Sequence, residues 1–333
     1  MPRLFIFILT AFACINYSKV NAQISLGRAE KSVKNAEQIF DEAEYLSFFN
    51  LNFVPITYDG GQSNTSINFG VEPSFSYQNL FFLHGSITKA YTDELRSDNY
   101  ANNRSLSIYK EQSTLQWAVV ASFPFFTKLN DSEQIFLLDK KGNTNYITRM
   151  EVKRFLSVGP RVGMGYRAGH IDDFNSLFKG VQLSQTDSLF PFEAANRSIL
   201  DYQYFKLGLS ANISVNAAFN FEDYGTRANT KYSSFYFDVL YAYNYTLDNI
   251  IMDLNQVELS FGGGRSNYVE YELQENTPFN RIGAHAGYSH TRFNDNTSLT
   301  YGVEAGLRPG VGNDFYAKIM VAFGLKKISH STD

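Results

Sequence analysis

Cysteine is almost absent from this chain of 333 residues, because the single one is Cys14 near the N-terminus. If the leader is removed as predicted below, the mature chain has no disulfide, thiol nucleophile or cysteine metal site. No internal stretch approaches the ~18 uninterrupted apolar residues of a transmembrane helix. The formal charge is only −4, and this mild acidity argues against nucleic acid or an anionic surface as the partner.

Catalytic and metal-binding signatures are missing as well. Neither Gly-x-Ser-x-Gly nor His-Glu-x-x-His occurs, and both patterns are common marks of hydrolases. His285 and Ser289 share one strand face, but four residues along a strand separate them by about 13 Å. The sequence therefore predicts neither an enzyme nor a cofactor or metal site. The histidines are interpreted as rim or interior residues; they are His84, His170, His285, His290 and His330.

The first 22 residues have the pattern of a secretory signal peptide. Arg3 supplies a positive charge, Leu4–Ile15 is an apolar core too short to span a membrane, and Val20-Asn21-Ala22 precedes a cleavage site before Gln23. Two alternatives are a short buried segment and a lipoprotein signal ending at Cys14. Residues 1–22 are therefore predicted to be absent from the mature protein.

The chain is rich in aromatic residues and in long segments where apolar residues alternate with small or polar ones. It contains 30 Phe, 22 Tyr and 23 Gly. In Tyr204–Phe221 every second residue is apolar and the others are mostly small or polar. Since successive side chains of a strand point to opposite faces, this segment predicts a strand with one apolar face. Its length exceeds the usual strand of about 3–10 residues and suits one that crosses a bilayer and projects beyond it.

The same alternation recurs along most of the chain after Tyr45. It is clear in Ser66–Gln78, Leu80–Thr92, Thr114–Phe125, Arg154–Ala168, Ser234–Thr246, Asn280–Phe293, Ser298–Arg308 and Phe315–Leu325. Eleven strands are convincing, and single-chain bacterial barrels have an even number. We therefore predict an all-β, closed antiparallel transmembrane barrel of about 12 strands, with 10 or 14 as alternatives. Gln134–Asp139 and Tyr146–Val152 are either the missing strand or a hairpin that projects from the rim.

The N-terminal segment differs from the rest. Apolar residues in Ala29–Ala43 recur at spacings of three and four, which predicts a short amphipathic helix. Residues 23–44 would then be a periplasmic arm, 45–326 the barrel and 327–333 a C-terminal tail. The arm could pack on the rim or fray, plug the interior, or dock a partner.

The strands of a soluble β-sandwich would also alternate apolar and polar residues, but their polar face would meet solvent and be rich in Lys, Glu and Thr. Here the polar face is mostly Gly, Ser and Asn, which favours a confined interior. With its closing strands Ser298–Gly310 and Phe315–Leu325, the chain resembles the bacterial outer-membrane β-barrel superfamily over about residues 45–325. The resemblance implies residence in the outer membrane, contact with its lipid and assembly by the barrel-insertion machinery.

Charged residues on the polar face of the strands predict an interior charge network. Because buried charges need partners, we interpret them as ion pairs across a narrow lumen. The alternative is a charge-lined constriction that selects small solutes. The candidates are Glu72, Arg161, Arg167, Lys206, Glu222, Asp238, Glu258, Arg265, Arg281, Glu304 and Arg308.

Two functions are consistent with these patterns. The first is a structural or interaction role, in which the barrel docks a larger envelope complex through Ala29–Ala43, its rim or the long connection Asp172–Leu200. The second is a passive channel or transporter for small solutes. Long connections are extracellular in this architecture and short turns periplasmic.

Overall fold

The computed structural model describes residues 36–61, 65–90, 115–141, 144–172, 196–247, 250–253, 268–271, 279–294, 296–311 and 314–329. No helix in these ranges is long and apolar enough to span a membrane. The elements are β1 (Ala36–Asp41), a 3-10 turn (Ala43–Tyr45), β2 (Ser47–Gly61), β3 (Thr65–Tyr77), β4 (Phe81–Ala90), β5 (Leu115–Ser122), β6 (Phe126–Lys141), β7 (Thr144–Asp172), β8 (Asn196–Phe221), β9 (Gly225–Leu247), β10 (Ile250–Asp253), β11 (Tyr268–Tyr271), β12 (Phe279–Asn280), β13 (Ile282–Phe293), β14 (Thr297–Arg308), β15 (Gly310–Val311) and β16 (Asp314–Ser329).

Ten of these strands close into one antiparallel barrel. Their circular order is β2, β3, β4, β5, β7, β8, β9, β13, β14 and β16, and the last pairs again with the first. Closure satisfies the backbone groups that an open sheet edge would leave unpaired. The closed antiparallel β-barrel is therefore confirmed. The prediction of about 12 strands is not, and ten was the lower of the two alternatives.

The two faces of the barrel wall differ as the alternation predicts. On β8, Phe205, Leu207 and Leu209 are 49%, 65% and 56% exposed, whereas Ser210 and Asn212 are buried in the interior. Every other barrel strand also carries exposed apolar side chains on its outer face. Soluble monomers rarely expose so large a contiguous apolar surface. It has the character of the lipid-facing band of a membrane barrel.

The two ends of the barrel have different connections. At one end, here called the short-turn end, residues 78–80, 222–224 and 294–296 join neighbouring strands. The β3–β4 turn has positive φ at both Gln78 and Asn79, 46° and 52°, as a type I′ turn requires. At the opposite, long-connection end, residues 91–114 join β4 to β5 and residues 173–195 join β7 to β8; both segments lie outside the described residues.

A small β-structure extends the wall at the short-turn end. β7 pairs with β8 only from Phe155 and Ser214 onward, while the first part of β7 pairs with β6. At about 3.3 Å per residue, the seven residues Val215–Phe221 carry β8 roughly 20 Å further. We call β1, β6, residues 144–154, residues 215–221 and residues 225–229 the β-extension. Of the two sequence interpretations of Gln134–Val152, the projecting hairpin is therefore correct.

The β-extension has its own apolar core. Phe136, Leu138 and Val152 of the β6–β7 hairpin pack on Val215, Ala217, Phe219 and Phe221 of β8. Arg227 ties the hairpin to β9, because its Nη2 and Nε donate to the carbonyl oxygen of Leu138 at 2.8 and 3.2 Å. The apolar face of β8 is thus covered by protein in this part, whereas it is exposed along the barrel wall.

The predicted helix over Ala29–Ala43 is wrong for the residues that the structure describes. Ala36–Asp41 forms β1, which pairs with Ala217–Phe221 of β8, and residues 29–35 lie outside the described ranges. Where β7 leaves β8, the backbone of β8 needs new partners, and β1 supplies them. Asp41 accepts hydrogen bonds from the backbone N–H of Lys153 at 2.9 and 3.0 Å. Partial burial raises the pKa of the Asp41 carboxyl, although this hydrogen bond acts in the opposite direction.

Candidate functional site: the barrel interior

The barrel encloses a cavity of about 160 Å³. Polar, charged and aromatic side chains from most of the ten strands line it. The titratable acidic and basic groups on its wall are Glu72, His84, Arg161, Arg167, Lys206, His285, Glu304, Arg308 and Lys318. The interior is thus neither empty nor uniformly apolar, and its chemistry depends on how these charges pair.

A segment of chain crosses the short-turn end of the cavity. Glu42–Leu46, here called the strap, leads from β1 on the β8 wall to β2, which stands five strands away on the opposite wall. The carbonyl oxygen of Ala43 accepts from Ser214 Oγ at 3.0 Å and from Asn79 Nδ2 at 2.6 Å. Ala43 and Leu46 are fully buried. The strap is therefore fixed by hydrogen bonds to β8 and to the β3–β4 turn, whose Asn79 Nδ2 also lies 3.1 Å from Ser214 Oγ.

An aromatic layer lies directly above the strap. Phe48 packs against Tyr232 and Phe293 with ring centroids 5.3 and 5.0 Å apart, and Phe82 lies 5.2 Å from Tyr232. Phe48 and Phe293 form one buried cluster with Leu46 of the strap. These rings come from four strands on different sides of the barrel, so they close its cross-section at this level.

A hydrogen-bonded chain of charged and aromatic groups occupies the middle of the interior. The hydroxyls of Tyr236 and Tyr316 donate to the two carboxylate oxygens of Glu304 at 2.7 and 2.6 Å. His285 links Tyr316 Oη, 2.7 Å from its Nδ1, to Asp238 Oδ2, 3.0 Å from its Nε2. Asp238 Oδ2 also accepts from Arg161 Nε at 3.1 Å.

A second ion cluster lies toward the long-connection end. Asp59 is buried between Arg167, whose Nη1 is 3.2 Å from Asp59 Oδ2, and Arg308, which bonds the other carboxylate oxygen. The guanidinium of Arg308 stacks 3.8 Å from the ring centroid of Tyr316. Lys318 Nζ lies 3.9 Å from Glu72 Oε1. These groups come from different strands. They occupy part of the cross-section of the lumen that would have to be free in an open pore.

Lys206 and His84 differ from the groups around them. Among the described residues Lys206 makes no ion pair, and its Nζ lies 5.7 Å from the ring centroid of Tyr204. His84 lines the same cavity and has no hydrogen-bond partner within the described part of the chain. Both side chains therefore present unused donors to the cavity.

Glycines make room for the large rings of the interior. A Cβ at Gly165 would lie 2.6 Å from the ring of Tyr204, and one at Gly287 would lie 2.3 Å from the ring of Tyr236. Non-bonded atoms do not approach a Cβ this closely. The tyrosine rings thus lie flat over neighbouring glycines, an arrangement that pins strand register.

The structure brings most of the predicted charged residues together. Glu72, Arg161, Arg167, Lys206, Asp238, Glu304 and Arg308 point into the interior. Glu222 instead lies in the exposed β8–β9 turn, and Arg281 is exposed beside Tyr245, 5.3 Å from its ring centroid. Glu258 and Arg265 are outside the described residues. His290 points outward, where its Nδ1 is 2.8 Å from Ser233 Oγ.

Sequence reasoning missed several members of the two clusters. Lys318 and Tyr316 lie between the outward residues of β16, so the alternation already implied their direction. Asp59 was harder to find, because a β-bulge shifts the register of β2 between Val54 and Thr57. A bulge exchanges the two faces of a strand, and the simple period of two then assigns Asp59 to the wrong side.

Comparison with known proteins adds little. No protein-family model matches the chain, and no curated protein matches its sequence. Among solved structures, an anion-selective porin from Comamonas acidovorans is 8% identical with a TM-score of 0.17, covering 85% of this chain and 99% of that one.

Two further solved structures are similar at the same level. The TodX deltaS2S3 mutant monoaromatic hydrocarbon channel has 10% identity, a TM-score of 0.20 and coverage of 87% and 93%. Salmonella typhi OmpF in complex with daunomycin has 10% identity, a TM-score of 0.15 and coverage of 86% and 100%. The likeness is one of architecture only, and values this low say nothing about function.

Proposed function

We propose that this protein is an integral outer-membrane β-barrel that anchors the β-extension in the periplasm, where the extension docks a larger cell-envelope complex. The observation that carries this proposal is the β-extension itself, a structure with its own core beyond the barrel wall. In outer-membrane barrels short turns face the periplasm, which supports a periplasmic position for the extension. Lipid and the barrel-insertion machinery would be the other partners of such a protein.

The filled interior supports an anchoring role. The strap and the aromatic layer close the short-turn end, and two ion clusters occupy the middle and the opposite end. Barrels of this width can be filled by their own side chains, whereas 16-stranded porins leave an aqueous channel. A barrel filled in this way is better suited to anchor the β-extension than to serve as a wide pore.

The outer face of the β6–β7 hairpin is a suitable contact surface. Ile135 and Leu137 are 55% and 46% exposed on the side away from the hairpin's core. β6 is an edge strand over its 16 residues, since among the described residues it pairs only with β7. An exposed edge with apolar side chains can accept a further strand from a partner.

Replacing Ile135 and Leu137 together by aspartate tests the docking surface. We expect the double variant to lose a companion protein that co-purifies in stoichiometric amount with the wild type in mild detergent. Exposed positions usually change stability by no more than about 0.5 kcal/mol, so the variant should keep the wild-type shift in gel mobility on boiling. Phe136→Ala, in the core of the extension, is the matched variant that should disturb folding of the extension. Retention of the same companion by the double variant would overturn the docking role.

The cavity favours a second candidate, a passive channel for small solutes. If the barrel is an anchor, the purified protein should conduct poorly in planar bilayers, because the strap and aromatic layer close one end. Replacing Phe48 and Phe293 by alanine should raise the conductance by opening that layer. Phe49→Ala is the control, since Phe49 is the outward neighbour of Phe48. A large, ion-selective conductance from the unaltered protein would favour the channel over the anchor.

A further inference from the structure

His285 belongs to a hydrogen-bonded group that uses the acceptors nearest to the middle of the cavity. Tyr316 has one hydroxyl proton, and it is donated to Glu304. The Tyr316 oxygen must then accept from His285 Nδ1–H, at 2.7 Å. His285 Nε2 faces a carboxylate of Asp238, which can only accept when ionised. The hydrogen bonds accepted by Asp238 and Glu304 thus come from Arg161, His285, Tyr236 and Tyr316, and among the described residues none comes from Lys206.

The charged groups of the interior are unevenly paired within the described part of the chain. The interior carboxylates among the described residues are Asp59, Glu72, Asp238, Glu304 and Asp314. The interior lysines and arginines are Arg161, Arg167, Lys206, Arg308 and Lys318. These two sets are equal in number among the described residues, but the cations do not share the carboxylates evenly, since Asp59 contacts both Arg167 and Arg308. Within a low-dielectric interior, an uncompensated charge is strongly unfavourable.

Lys206 differs from the other interior cations in its pairing. The other four cations each have a carboxylate within ion-pair distance, at Asp238, Asp59, Asp314 or Glu72. Lys206 has none among the described residues. It stands opposite Gly163 on β7, while Arg161 stands opposite Gly208, so Lys206 and Arg161 are diagonal neighbours on the inner face. Such neighbours are about 7–8 Å apart at Cα, and long side chains can reach one ligand together.

We infer that the cavity binds a small oxyanion, a carboxylate or phosphate, with Lys206 as its principal contact and Arg161 and His84 beside it. A cavity of about 150 Å³ is known to hold a ring the size of benzene, and this one is about 160 Å³. Inorganic phosphate and organic acids up to about the size of benzoate match this volume. The strap and the aromatic layer lie between this cavity and the short-turn end.

Calorimetric titration of the folded barrel in detergent tests this inference. Inorganic phosphate, acetate and benzoate are titrated separately, each against sodium chloride of equal ionic strength. We expect saturable binding of at least one of the three. Lys206→Met should weaken it by about tenfold or more, because a hydrogen bond to a charged group is lost. The preferred anion separates an inorganic from an organic ligand.

Lys128→Met is the matched control, since Lys128 is exposed on β6 outside the barrel, and it should bind like the wild type. The Ile135→Asp, Leu137→Asp variant should also bind normally, which separates this site from the docking surface. In the absence of added anion, Lys206→Met should be at least as stable as the wild type, because it removes the unpaired charge. Absence of saturable binding to the wild type, or equal affinity in Lys206→Met, would overturn the inference.

Discussion

Replacing Asp238 by alanine should lower the free energy of unfolding by about 3–5 kcal/mol, as expected when one partner of a buried ion pair is removed. Asp238 is completely buried, and its Oδ2 contacts both Arg161 and His285. The variant leaves these two donors inside the barrel without their shared acceptor. Equilibrium unfolding by urea in lipid vesicles, compared with the wild type, measures the difference.

A double variant shows whether the loss is electrostatic. Arg161→Met removes the charge that Asp238→Ala leaves unpaired, so adding it should recover part of the lost stability. Alone, Arg161→Met should be strongly destabilising, whereas Arg281→Met should change stability by no more than about 0.5 kcal/mol, as is usual for exposed positions. Strictly additive effects of Asp238→Ala and Arg161→Met would show that their contact contributes nothing.

Replacing Leu207 by arginine should destabilise the barrel by about 2–4 kcal/mol, the cost of an arginine on the lipid face near the bilayer midplane. Leu207 is 65% exposed and lies between Phe205 and Leu209 on the outer face of β8. An arginine on this apolar outer face is expected to meet lipid. The same vesicle-based unfolding experiment measures the cost.

The neighbouring position supplies the control. Lys206→Arg keeps a positive charge on the inner face, one residue away along the same strand, so its effect should be much smaller than that of Leu207→Arg. A barrel in detergent micelles should show a reduced difference, because detergent adapts to a charge better than a bilayer does. Equal destabilisation at residues 206 and 207 would mean that the outer face of β8 does not meet lipid.

Much of the fold was predictable because one rule covers it. A strand in a closed wall has one face toward lipid and one toward the interior, so Phe205 and Lys206 are assigned by alternation alone. The same rule correctly directed Glu72, Asp238 and Glu304 inward. It also identified β8 as longer than a bilayer requires.

Other features could not be predicted in this way. The strand count of twelve failed in part because Gln134–Asp139, the candidate for the twelfth strand, belongs to β6. This strand pairs with β7 on the same side as β5 and takes no position of its own in the barrel. The helix prediction failed because the helical period in Ala29–Ala43 extends over only a short segment. Pairing of β1 with β8 outweighs so weak a preference for helix. The inward direction of Asp59 could not be predicted, because the β-bulge in β2 is not visible in the alternation.

The sequence by itself determined that this chain is a β-barrel with an apolar outer face, because local alternation fixes the side on which each residue lies. Only the tertiary structure decided which charges meet, since Arg161, Asp238 and His285 come from three strands. It also decided where the wall ends: Glu222 follows the same alternation as Lys206, yet it lies in a turn beyond the barrel. Alternation carries no information on distance along the barrel axis or across the lumen, and closure of the wall sets both.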